Sequence, residues 1–80
     1  MSLSPRSMIA GLTAASGLDL ERAAARMLDC LDGADRSGLL AECRAVLVRE
    51  DEDGRPVDGP EWRCAAQALL QADANHQMKP

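Results

Sequence analysis

The residues able to do chemistry in this chain are three cysteines, one histidine, a run of four acids and a set of arginines. Cys30, Cys43 and Cys64 are odd in number and widely spaced. No Cys-x-x-Cys pair occurs, so neither a zinc motif nor a redox motif is written here. They read as reduced thiols packed as small apolar residues. A Cys/His zinc site using His76 would need paired local spacing that the chain lacks. The acids Glu50-Asp51-Glu52-Asp53 precede Gly54. A calcium loop starting at Asp51 would put Arg55 at its fifth position and Trp62 at its twelfth, so the run reads as a solvated turn. His76 is the single histidine. No Ser–His or Cys–His pairing is suggested, and phosphate-binding Gly-rich loops and metalloprotease helices are absent. No catalytic residue, cofactor, metal or small-molecule substrate is expected, and an enzyme is not the reading.

Arginine offers a different chemistry. Eight of the nine basic residues are Arg, against 13 acids, for a net charge of −4. Arg22 and Arg26 lie one helical turn apart, with Arg6 and Arg36 nearby in sequence. Such groups can hold phosphates or guanine edges. Glu21 and Asp29 share their helix and repel phosphate. The acidic balance counts against tight non-specific DNA binding.

Eighty residues make a single domain, 1–80. The 46% apolar content fits a folded protein. Most of it is Ala and Leu, with one Ile, three Val, one Trp and neither Phe nor Tyr. These are helix formers, so an all-α bundle of three or four short helices is expected. A domain this small buries only ~60% of its unfolded surface, which favours association with itself or with another protein. No apolar run reaches the ~20 residues of a membrane span. The N-terminus lacks the long apolar core of a signal peptide, so a cytoplasmic protein with no membrane partner is expected.

Four elements must position these residues. Ser4-Pro5 reads as an N-cap and first turn, followed by Met8, Ile9, Leu12 and Ala15 at helical spacing. Gly11 weakens that helix and Ser16-Gly17 should end it. Asp19 can cap a second helix with the stripe Leu20, Ala23, Ala24, Met27, Leu28 and Leu31, which Asp32-Gly33 should stop. Asp35 or Ser37 can cap a third, with Leu39, Leu40, Cys43, Val46 and Leu47 on one face. Its end is open between two readings. A helix ending near Arg49 competes with a short β-hairpin joining residues 46–50 to 55–57 through Asp53-Gly54. After the charged turn 50–59, Pro60 and Glu61 open a last helix. Trp62, Ala65, Ala66, Leu69 and Leu70 form its stripe; Trp62 reads first as core packing, with an interface anchor or a ligand contact as its rivals, and the stripe is the candidate interface. That helix should fade near Asp73 to Asn75. Residues 1–4 and 75–80 read as frayed ends.

Two segments carry a resemblance. The string Ile9-Ala10-Gly11-Leu12-Thr13, through Gly17-Leu18 to Leu28, resembles the helix–turn–helix unit of bacterial and phage DNA-binding proteins, although any plain helical hairpin shares its shape. Asp53-Gly54, Val57, Pro60-Glu61-Trp62, Arg63, Ala66, Leu69 and Leu70 resemble the C-terminal part of terminase small subunits, which recognise viral DNA and form rings in phage packaging. Together they imply a non-enzymatic phage accessory protein. On that reading Arg22, Arg26, Arg6 and Arg36 meet DNA, and the Trp62 helix mediates self-association. The alternative is a helical protein–protein interaction or oligomerisation module with no nucleic-acid role.

Overall fold

The structure, a computed structural model, describes residues 4–77. Over those residues the chain forms four helices: α1 Pro5–Leu12, α2 Gly17–Asp29, α3 Gly33–Val48 and α4 Pro60–Gln77. Among the described residues there is no named strand.

Each helix begins where side-chain chemistry allows. The Ser7 amide donates to Ser4 Oγ at 3.2 Å, and Pro5 occupies the first turn of α1, where its missing N–H removes nothing. The end of α1 comes earlier than Ser16-Gly17. It stops at Leu12, where the Thr13 amide and Thr13 Oγ1 both donate to the Ala10 carbonyl, at 3.2 and 2.7 Å, and close the last turn. Ser16 and Gly17 instead start α2. Ser16 is its extended N-cap, and Gly17 takes φ +57°, a left-handed value that glycine adopts without steric cost. Asp19 is therefore not the cap. It sits in the first turn, where the helix dipole favours its charge.

The third cap also shifts. Asp32 Oδ1 accepts from the Asp35 amide at 2.8 Å, so Asp32 opens α3, rather than Asp35 or Ser37. Asp32-Gly33 thus starts a helix, while α2 has already ended at Cys30. The Val46–Val48 run stays helical and α3 closes on Arg49, as the helical reading had it, and the competing β-hairpin does not form. Its arms meet only at one isolated bridge, Glu50 to Pro56, flanked by hydrogen bonds from the Val57 amide to the Arg49 carbonyl and from the Asp51 amide to the Arg55 carbonyl. The ladder goes no further because the Arg49 amide, which the next pairing would need, is already held by the Ala45 carbonyl at 2.9 Å. At the other end, α4 runs to Gln77, past the Asp73–Asn75 region where fading was expected.

Helix α4 organises the core. Its Ala65, Ala66 and Leu69 have no exposed surface, and it packs most extensively on α3 and α2. The two alanines let neighbouring backbones come close, so a core with few large side chains can still fill. Ile9 from α1, Ala24 from α2, and Leu39, Cys43 and Val46 from α3 complete the fully buried centre. Helices α1 and α2 share few contacts, unlike a tight two-helix unit. No helix among the described residues is long and apolar enough to cross a membrane.

Candidate functional site

Arg6 and Arg36, two of the four arginines expected to meet DNA, are engaged within the chain. The first turn of α1 aims Arg6 at the loop before α4. Its Nη2 donates to Asp58 Oδ1 at 2.9 Å and its Nη1 to Glu42 Oε2 at 3.2 Å. The guanidinium carbon lies 4.4 Å from the centroid of the Trp62 ring, a cation–π geometry. Arg49 joins the group, with Nη2 at 3.3 Å from Glu42 Oε2 and Nη1 at 3.8 Å from Asp58 Oδ2. The bond to Asp58, more than the nearby charges, holds the Arg6 proton more tightly than usual. This cluster clamps α1, α3 and the α3–α4 loop together. Its donors and acceptors face one another, which leaves little to offer a substrate.

Asp58 is buried, and it had no signal in the sequence. Fifty-two positions separate it from Arg6, so no local spacing could announce the pair.

Arg36 has a different task. Its Nη2 donates to the Leu28 carbonyl at 2.8 Å, supplying a cation and a donor to the C-terminal end of α2. Its Nε is buried without a partner. It lies at the edge of a 520 Å³ cleft between α2 and α4, whose polar side chains include Gln67, Gln71 and Asn75.

The stripe suggested as an interface is mostly enclosed. Ala65, Ala66 and Leu69 are core, and Trp62 and Leu70 are half-buried against that same core. Trp62 is a packing residue with one face under Arg6.

Arg22 and Arg26 remain. Both are exposed and one turn apart on α2, and among the described residues neither makes an ion pair. They do not stand on a convex basic surface. They edge a 690 Å³ groove between α1 and α2. Met8 and Leu12 come from α1, Ala23 and Met27 from α2, and Leu31 from the turn that follows. Asp19 and Cys30 line it as well. The groove explains why the apolar stripe on α2 is so wide. Leu20, Ala24 and Leu28 enter the core, whereas Ala23, Met27 and Leu31 are only half-covered. That width was legible in the sequence. Its division between core and groove was not, because it depends on the loose approach of α1.

The cysteines separate by burial. All three are free thiols, Cys30 and Cys64 exposed and Cys43 buried. Burial pushes the Cys43 thiol up to about 11. Among the described residues no three His, Cys, Asp or Glu side chains gather as metal ligands.

Chemically, the groove can receive an apolar ridge and reward negative charge along one edge. Comparison with protein families, curated proteins and solved structures returned no match for this chain.

Proposed function

We propose that this protein is a non-enzymatic helical docking module that receives an acidic, apolar protein segment in the groove between α1 and α2. One observation carries the reading: two arginines that make no ion pair among the described residues border an apolar groove. Apolar residues in the groove supply affinity, and the arginines select for charge and speed the encounter. Methionines at two groove positions, Met8 and Met27, can adapt to differing side chains.

A titration of labelled amphipathic peptides tests this by fluorescence anisotropy. An acidic Glu/Leu helix should bind at least about tenfold more tightly than its Lys/Leu counterpart, and Arg22→Glu with Arg26→Glu should reverse the order. No saturable binding of the acidic peptide up to ~1 mM, the weak end of the affinity scale, would remove the proposal.

A second reading follows from the same two arginines. Exposed on the second helix of the chain, they suit an accessory protein resembling a terminase small subunit, which binds DNA weakly. With Arg6 and Arg36 engaged, two phosphate contacts per chain give a log–log salt slope of only about −2. A DNA mobility shift at low salt, lost in Arg22→Ala, Arg26→Ala, is its test. Absence of any shift under those conditions would eliminate it.

A further inference from the structure

We propose that the groove's occupant is a second copy of this chain, which inserts the acidic loop between α3 and α4. The inference rests on reading the groove as a docking site and names what docks there.

The loop is built as a rigid projection. The Asp51 amide donates to the Arg55 carbonyl at 2.8 Å, and the Gly54 amide to the Asp51 carbonyl at 3.0 Å. Asp51 Oδ1 accepts from the Asp53 and Arg55 amides at 2.9 and 3.0 Å. Gly54 takes φ +78°, which closes the turn. The Val57 amide donates to the Arg49 carbonyl at 3.2 Å, and next to it Asp58 anchors the base on Arg6. A loop held this way loses little entropy on binding.

Its surface complements the groove. Glu50, Asp51, Glu52 and Asp53 are all exposed, flanked by the basic residues Arg49 and Arg55. Asp51 is occupied with the turn, so Glu50, Glu52 and Asp53 remain to meet Arg22 and Arg26. Val48 is 73% exposed and Val57 53% exposed at the loop's base, two of the three large apolar side chains left exposed among the described residues. Among the described residues, no ion pair links the loop's acids to the groove's arginines within one chain.

The loop and the groove share no residue. The contact is therefore heterologous, running head to tail, and each added copy exposes a fresh loop and a fresh groove. The patch is too small to approach the ~1,200 Å² of a stable interface, so a single contact is weak and concentration-dependent.

Sedimentation velocity at low salt, from ~10 μM to ~1 mM, tests the proposal over a range suited to weak contacts. The native chain should form species that grow with concentration and dissociate in ~0.5 M salt, where exposed charges are screened. A groove variant (Arg22→Glu, Arg26→Glu) and a loop variant (Glu50→Ser, Glu52→Ser, Asp53→Ser) should each be monomeric, with native helicity confirming that both fold. Mixed one to one, they should give a dimer and nothing larger, because only one loop and one groove remain competent. A native chain that stays monomeric at ~1 mM and low salt overturns the proposal. So does a groove variant that assembles like the native chain, or a mixture that stays monomeric. Acidic-peptide titration separates the two levels. A monomeric chain that still binds the peptide keeps the docking function and loses the second copy as occupant, while failure of both removes both.

Discussion

Replacing Asp58 by Ala probes the charged cluster that joins α1, α3 and the α3–α4 loop. The side chain of Asp58 is 5% exposed and bonds Arg6 at 2.9 Å, with Arg49 at 3.8 Å. Breaking a fully buried ion pair costs about 3–5 kcal/mol, because the remaining charge is stranded. Here the remaining cations are not stranded, since the Arg6 and Arg49 side chains are 45% and 40% exposed and can rehydrate. Asp58 Oδ2 is also buried without a hydrogen bond, so its removal relieves a desolvation penalty. Both effects move the expected loss down to the range of a hydrogen bond to a charged group, about 1.5–3 kcal/mol. An 80-residue domain has roughly 4–12 kcal/mol of stability in all. At about 4–8 °C per kcal/mol, the melting temperature should fall by at least ~6 °C. Urea and thermal melts followed by circular dichroism measure this directly. Amide exchange at Asp51, Gly54 and Val57 should also speed up, because the loop loses its anchor. Glu42→Gln is the control. Its side chain is 21% exposed and its contacts are longer, at 3.2 and 3.3 Å, so it should cost under ~1 kcal/mol. If Asp58→Ala lies within ~0.5 kcal/mol of the native chain, or Glu42→Gln costs as much, the clamp is not what holds the loop.

Three further outcomes follow from single positions. Gly17→Ala should cost about 1 kcal/mol although nothing lies within 4 Å of the added methyl, because φ +57° strains any residue with a Cβ; a denaturant melt unchanged by the substitution would refute that origin. Leu69→Ala should cost about 2–5 kcal/mol from a site with no exposed surface, a loss a melt would reveal, whereas a mild effect would mean that α4 is not the core's centre. Cys43 should resist a thiol reagent at pH 8 while Cys30 and Cys64 react at once. Its folded value of about 11 lies above its ordinary 9, so the folded state keeps the proton more strongly. Stability from Cys43 is thus complete below pH 9 and declines as pH rises from 9 to 11, a fall that Cys43→Ala should abolish.

Much of the helical pattern can be read directly from the chain. Ser4-Pro5 and Pro60-Glu61 start helices where they stand, because capping is a matter of neighbouring residues. The mistaken caps at Asp19, Asp35 and Ser37 have a common cause. Several residues in each stretch can cap, and the choice among them is made by where the preceding helix stops. The choice of helix over hairpin after Val46 was likewise settled by packing. Val46 is fully buried on the α3 face, and that packing outweighs the β preference of a short valine run.

The candidate site divides along the same line. Sequence alone determined an all-helical chain, an unusually wide apolar stripe on α2, and an arginine pair at one-turn spacing, since each follows from the period of a helix. Tertiary structure decided what those features are for. It tied Arg6 to Asp58 across 52 residues, directed Arg36 to the end of α2, and enclosed the alanines of α4 in the core. It also held α1 far enough from α2 to open a groove beside Arg22 and Arg26. Local rules fix which residues share a face, but what meets that face depends on contacts between residues that no spacing links.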